Sequence, residues 1–139
     1  MSFPSSFTLV GNPNCGKSTL FNRLTGLTQK TSNLPGTTVE AMQGEIKVGQ
    51  ETIHLLDLPG IYSLYTKSED EGLVVKHLIR TDNDKHEAII FVMDASNLRR
   101  NLLLFSQVAE LQIPCACVLT MTDTAVRRGI DIDLLALQA

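Results

Sequence analysis

One octapeptide constrains this chain more than any other stretch of it. Gly11-Asn12-Pro13-Asn14-Cys15-Gly16-Lys17-Ser18 is a full match to the pattern G-x-x-x-x-G-K-[ST]. Such a loop has to follow a strand and open a helix, because its backbone N–H groups and the helix N-terminus together cradle phosphate oxygens. The flanking residues supply both elements. Phe7 to Val10 reads as a short strand, and a helix is expected from about Lys17, turning Leu20, Phe21 and Leu24 inward and stopping at Gly26. Candidate phosphate-binding positions are Asn12, Pro13, Asn14, Cys15, Gly16, Lys17, Ser18 and Thr19. Lys17 would reach the β- and γ-phosphates of a nucleotide, and the Ser18 hydroxyl would ligate Mg²⁺.

Beyond the loop, apolar runs alternate with helical patterns, the signature of an α/β domain with a mostly parallel sheet and helices on both faces. Residues 27–40 are polar, contain Pro35-Gly36, and read as a long exposed loop. Ala41–Val48 and Thr52–Leu56 form an antiparallel edge hairpin about Gly49-Gln50. Ser68 caps a helix running to Ile79, with acidic residues in its first turn. Ala88–Met93 is a buried strand, Leu98–Leu111 an amphipathic helix, and Pro114 introduces a strand over Cys115–Leu119. A last helix starts around Asp131 and stops in mid-pattern at Ala139, which suggests a fragment of something longer.

Composition narrows the class. With 139 residues, 43% of them hydrophobic and 19% charged, residues 1–139 make one domain with one core. A net charge of -3 argues against nucleic acid as a bulk electrostatic partner. The longest apolar runs, such as Ala88–Met93, fall far short of the roughly 20 residues that span a bilayer, and no signal-peptide pattern opens the chain. A soluble cytoplasmic chain is expected. Three cysteines are an odd number for a disulfide framework. Cys115 and Cys117 share one strand face and are read as small buried hydrophobes rather than a metal pair.

Three further motifs carry chemistry. Asp57-Leu58-Pro59-Gly60 follows an apolar strand, where Asp57 can sit beside Mg²⁺ and the Gly60 amide near a γ-phosphate. In the polar stretch, Thr38 can complete the Mg²⁺ shell and sense the γ-phosphate by ordering the loop, with Thr37 as its rival. Thr120-Met121-Thr122-Asp123 follows the last strand. There Asp123 can accept two hydrogen bonds from guanine N1–H and the 2-amino group, which adenine does not offer. Helix capping is the competing role for Asp123.

These four elements, in this order, resemble the translation-factor-related class of GTPases. Asn33-Leu34-Pro35-Gly36-Thr37-Thr38-Val39-Glu40, Asp57 to Leu64 and Val92 to Leu102 bring the resemblance to the cytosolic G domains of the bacterial ferrous iron transport protein B family. It covers residues 6 to 138. What it implies is a P-loop NTPase of the Ras-like G-domain type that binds GTP and GDP and hydrolyses GTP slowly, with Mg²⁺ and K⁺ as cofactors. It also implies a place on the cytoplasmic side of the bacterial inner membrane. The implied partner is the transmembrane iron-permeation region of the same full-length chain, and a homo-oligomer is left open. By the same resemblance Thr38 is the switch-I threonine, Gly60 belongs to switch II, and Asn14 holds the K⁺. The catalytic set is then Asn14, Lys17, Thr38 and Gly60, with Thr120, Met121 and Asp123 around the base.

This chain departs from the family pattern at named places. Thr120 stands where the base motif usually has Asn, and Leu34 where a Trp is frequent. Ile61 stands where many regulatory GTPases carry a water-positioning glutamine, and the loop that usually closes over guanine lies beyond Ala139. Two alternatives compete with a transporter's regulatory domain. One is a soluble GTPase of ribosome assembly or tRNA modification, and the other a weakly nucleotide-binding, non-hydrolysing interaction module.

Overall fold

A computed structural model describes residues 4–26, 29–34, 36–79 and 87–138. Its six strands are β1 (Ser6–Gly11), β2 (Gln29–Asn33), β3 (Glu40–Val48), β4 (Glu51–Asp57), β5 (Glu87–Asp94) and β6 (Cys115–Thr120). They form one sheet in the order β2-β3-β4-β1-β5-β6. β1 runs parallel to both β4 and β5, and β5 parallel to β6, while β2, β3 and β4 pair antiparallel. The α/β class, the parallel centre and the antiparallel β3–β4 hairpin are as the sequence leads one to expect, with β2 lying outside that hairpin.

Helices cover both faces. α1 (Lys17–Thr25) packs on one side, where Phe21 meets Leu9 and Leu55. α2 (Glu69–Leu78) and α3 (Leu98–Ala109) bury Val74, Leu78, Leu104 and Val108 on the other, against Val10, Ile89, Phe91 and Met93. Ser68 caps α2 as expected, its Oγ accepting from the Glu71 amide at 3.2 Å. Two short helices, α4 (Thr122–Arg127) and α5 (Leu134–Gln138), close the described chain. The register puts Asp57 beside Leu9, Gly11 beside Val92, and Asp94 beside Thr120. Every motif therefore leaves the sheet at one edge, outside the strands' carboxyl ends, where α/β folds place their ligands.

Four local expectations need correction. Within 27–40, Gln29–Asn33 is a strand, pairing Ser32 with Ala41 and Asn33 with Glu40. Its backbone bonds to β3 outweigh the absence of apolar alternation; Leu27, Thr28 and Pro35 lie outside the described residues. Leu24 is exposed, because Thr25 takes the inward position on α1, its methyl against Gly44. Cys115 and Cys117 are exposed rather than buried, since β6 is the outer strand of the sheet among the described residues. Partial desolvation still pushes both thiols up, that of Cys117 to about 11, so both stay protonated at neutral pH. Finally, the last helix, expected from around Asp131, is α5 and starts at Leu134, and a separate helix, α4, precedes it from Thr122.

Candidate functional site

The loop between β1 and α1 is shaped by backbone demands that few residues meet. A Cβ on Gly11 would lie 2.7 Å from the Val92 carbonyl oxygen, so the strand can leave the sheet there only as glycine. Asn14 (φ 62°) and Gly16 (φ 89°) are both left-handed, the kind of backbone turn that builds anion-binding concavities. Gly16 is also the N-cap of α1 and supplies no side-chain cap, so the first amides of that helix remain open to an anion. Asn12, Pro13, Asn14, Gly16, Lys17, Ser18 and Thr19 line a concavity of about 390 Å³, closed by Gly60 and Met121. Cys15 turns away into the core, and burial pushes its thiol up, which suits packing rather than chemistry.

Lys17 and Asp57 are brought together across 40 residues of chain. Both are buried, 7% and 6% exposed, and they form an ion pair in which the Lys17 ammonium also donates to the Leu58 carbonyl. Lys17, Ser18, Asp57 and Gly60 share a second concavity of about 270 Å³ with Thr31, Glu40 and Met42. A hydroxyl and a carboxylate facing one space are the hard oxygen donors that Mg²⁺ selects. Asn12, beside them, donates Nδ2 to the Arg100 carbonyl at 3.4 Å, while its buried Oδ1 has no partner among the described residues.

Gly60 touches the loop directly. A Cβ there would lie 2.7 Å from both N and Cα of Pro13, and the next amide, Ile61, donates to the Gly11 carbonyl at 3.1 Å. Ile61 itself is 1% exposed and part of the core. The position thus contributes backbone to the site and no side chain.

The two rival threonines differ in engagement. Thr37 donates its hydroxyl to the Leu34 carbonyl at 2.9 Å and accepts from the Val39 amide at 3.2 Å, closing a local turn. Leu34 and Val39 anchor that turn in the core. Thr38 is exposed at its outer side, and neither threonine lines the loop concavities. In the base motif, Thr120 Oγ1 lies 2.6 Å from the Cys15 carbonyl, and Met121 lines the phosphate concavity. Asp123 is not a helix cap: the N-cap of α4 is Met121, and Asp123 pairs with Arg127 one turn on, at 3.5 Å.

Two residues of α3 complete the arrangement and were not picked out from sequence. Gln107 Oε1 accepts from the Leu64 amide at 2.6 Å and the Ser63 hydroxyl at 3.1 Å, and the Arg100 guanidinium lies 4.3 Å over the Tyr62 ring. The signal was available: positions 100, 104 and 107 share a face of the amphipathic helix. A larger concavity, about 610 Å³ near His54, Glu45 and Thr8, contains none of the motif residues.

The family described as Ferrous iron transport protein B matches residues 5–139. The Fe(2+) transporter FeoB of Leptospira biflexa is 43% identical over 126 residues, covering 91% of this chain and 18% of its own length. That of Escherichia coli K12 is 45% identical over 135 residues, covering 94% of this chain and 17% of its own. The chain thus spans under a fifth of these relatives. Among solved structures, the cytosolic domain of L. pneumophila FeoB superposes with a TM-score of 0.84 at 44% identity, over 96% of this chain and 57% of that one. The cytosolic domain of T. maritima FeoB in a GDP form gives 0.86 at 37% identity, over 99% and 53%. Sequence and overall fold agree, and the chain belongs to the ferrous iron transport protein B family, with the fold of its G domain.

Proposed function

We propose that this chain is a GTP-binding, GTP-hydrolysing module that regulates a ferrous iron transporter from the cytoplasmic side of the membrane. The observation that carries it is the meeting of Lys17, Ser18, Asp57 and Gly60 around one concavity beside the β1–α1 loop. The relative from T. maritima is described in a GDP form and one from S. thermophilus as bound to mGDP, which supports guanine nucleotide as the ligand. No helix among the described residues is long and apolar enough to cross a membrane. The Fe(2+) transporters this chain resembles are covered over less than a fifth of their length, which supports a permeation path in the remainder of such a chain.

In this reading the amides of residues 14–18 hold the β-phosphate, and Lys17 leaves Asp57 and the Leu58 carbonyl to reach the β- and γ-phosphates. Ser18 and Asp57 would hold Mg²⁺, which would offset charge on the phosphate oxygens, and Thr38, outside the concavity here, would have to swing in to join them. The Gly60 amide, fixed against Pro13, points switch II at the γ-phosphate. Because Ile61 is in the core, no side chain from that position orients the attacking water, and a slow intrinsic rate follows. Asn14, left-handed and lining the loop concavity, offers its side-chain oxygen to K⁺.

Thr38 carries the sensing step. Its hydroxyl has no role in the local turn, whereas that of Thr37 does. Thr38→Ala should therefore slow single-turnover GTP hydrolysis at least tenfold while GDP affinity stays within about twofold, since GDP lacks the group being sensed. An equal loss of GDP binding would move the role to Thr37.

Asp123 carries base choice. Its pairing with Arg127 is 80% and 73% exposed and therefore weak, so guanine can displace it. Two charge-assisted bonds to the base, each about 1.5–3 kcal/mol, are at stake. Asp123→Ala should lower GTP affinity at least tenfold and erase preference over ATP, as measured by competition with a fluorescent nucleotide. Retained discrimination would remove Asp123 from the site.

A further inference from the structure

The family pattern puts a carboxamide at the head of the base motif, and this chain has a hydroxyl there. Thr120 ends β6 opposite Asp94, 105 residues from the loop it touches. Its Oγ1 lies 2.6 Å from the Cys15 carbonyl and 3.1 Å from that of Met93. Its Cβ and Cγ2 lie 3.5 Å from where a Cβ on Gly16 would stand. The residue therefore packs against the turn of the phosphate loop and bonds its backbone one residue earlier.

A hydroxyl has one proton to give, and both neighbouring groups are carbonyls that only accept. The shorter contact takes it. The outward edge of guanine, on the side away from N1 and the 2-amino group, presents only acceptors, N7 and O6. A carboxamide brings two N–H donors, enough for a loop carbonyl and a base acceptor together. Threonine has one.

We infer that Thr120 is a positioning residue for the phosphate loop, its single proton committed to the Cys15 carbonyl, and that it leaves the N7 edge of the base unread. Within the base motif, reading of the base then falls to Asp123, at the opposite edge. This rests on the guanine-nucleotide reading above and goes further by dividing the base motif into one residue that holds the loop and one that reads the base.

The test compares GDP with 7-deaza-GDP, in which N7 is replaced by C–H, by competitive binding to the intact chain. The unsubstituted protein should bind both within about twofold, and a preference for GDP of fivefold or more would overturn the inference. Thr120→Asn should acquire such a preference, of the size of one hydrogen bond; its failure to do so would also overturn the inference. Thr120→Val keeps the shape and removes the proton. It should weaken GDP and 7-deaza-GDP equally, by about fivefold to tenfold, with Thr120→Ser restoring both. Unchanged affinity in Thr120→Val would remove the tether. No binding of GDP by the unsubstituted chain would instead overturn the parent reading, and this one with it.

Discussion

Lys17→Met should destabilise the nucleotide-free chain by about 3–5 kcal/mol, because it strands the Asp57 carboxylate in a buried position. Methionine keeps most of the side chain's length and its apolar stem, so packing is a minor part of the effect. Against a total stability of about 5–15 kcal/mol for a domain, the loss is large. Asp57→Asn should cost about as much for the mirror reason, leaving an ammonium with only the Leu58 carbonyl. The informative variant is the double one, Lys17→Met with Asp57→Asn. It removes both charges and should recover most of the lost stability, while nucleotide binding stays abolished. Urea titration measures all four proteins, with an unchanged m-value confirming that the folded state is the same. If Lys17→Met lies within about 1 kcal/mol of the parent, the pair does not form without nucleotide. The cycle bears on function because the contact has to break before Lys17 meets phosphate. Phosphate binding and the opening of this pair are one event.

Which parts of this site could be read from sequence follows from how local their causes are. The octapeptide dictates its own turn through Gly11 and Gly16, so loop and flanks came out together. The Asp57 motif follows an apolar strand and leaves the same sheet edge, so its convergence on Lys17 followed from the fold class. β2 escaped because Gln29–Asn33 has no apolar alternation; it is polar, lies at an edge, and is held by backbone pairing that has no side-chain signature. Leu24 reads as inward because a Leu at helical spacing outranks Thr25 on hydrophobicity, whereas Gly44 leaves room for the threonine methyl. The exposure of Cys115 and Cys117 depends on β6 being outermost, a property of topology rather than of the strand's own residues. Contacts such as Gln107 with Ser63 and Thr120 with Cys15 join residues 44 and 105 positions apart, and single-sequence reading has no access to them.

K⁺ should accelerate GTP hydrolysis by this chain about a hundredfold over Na⁺ at equal ionic strength, and Asn14→Ala should abolish the difference. Ile61 is sealed in the core, and the phosphate concavity is lined by one cationic side chain, Lys17, with no arginine among the described lining residues. Charge developing between the β- and γ-phosphates in the transition state therefore gains from a positive centre in addition to Lys17 and Mg²⁺. Asn14 stands at the left-handed corner of the loop, exposed and lining that concavity, two residues before the glycine that caps α1. Its amide oxygen is neutral and can replace one water on a large monovalent cation without a charge of its own. A factor of a hundred corresponds to about 2.7 kcal/mol of transition-state stabilisation, within what one well-placed electrostatic group supplies. Single-turnover rates in K⁺ and Na⁺ measure the effect, and GDP affinity separates it from loss of the loop: Asn14→Ala should bind GDP within about threefold of the parent. Equal rates in the two salts for the unsubstituted chain would leave Asn14 as a turn-forming residue only, suited by its tolerance of the left-handed conformation.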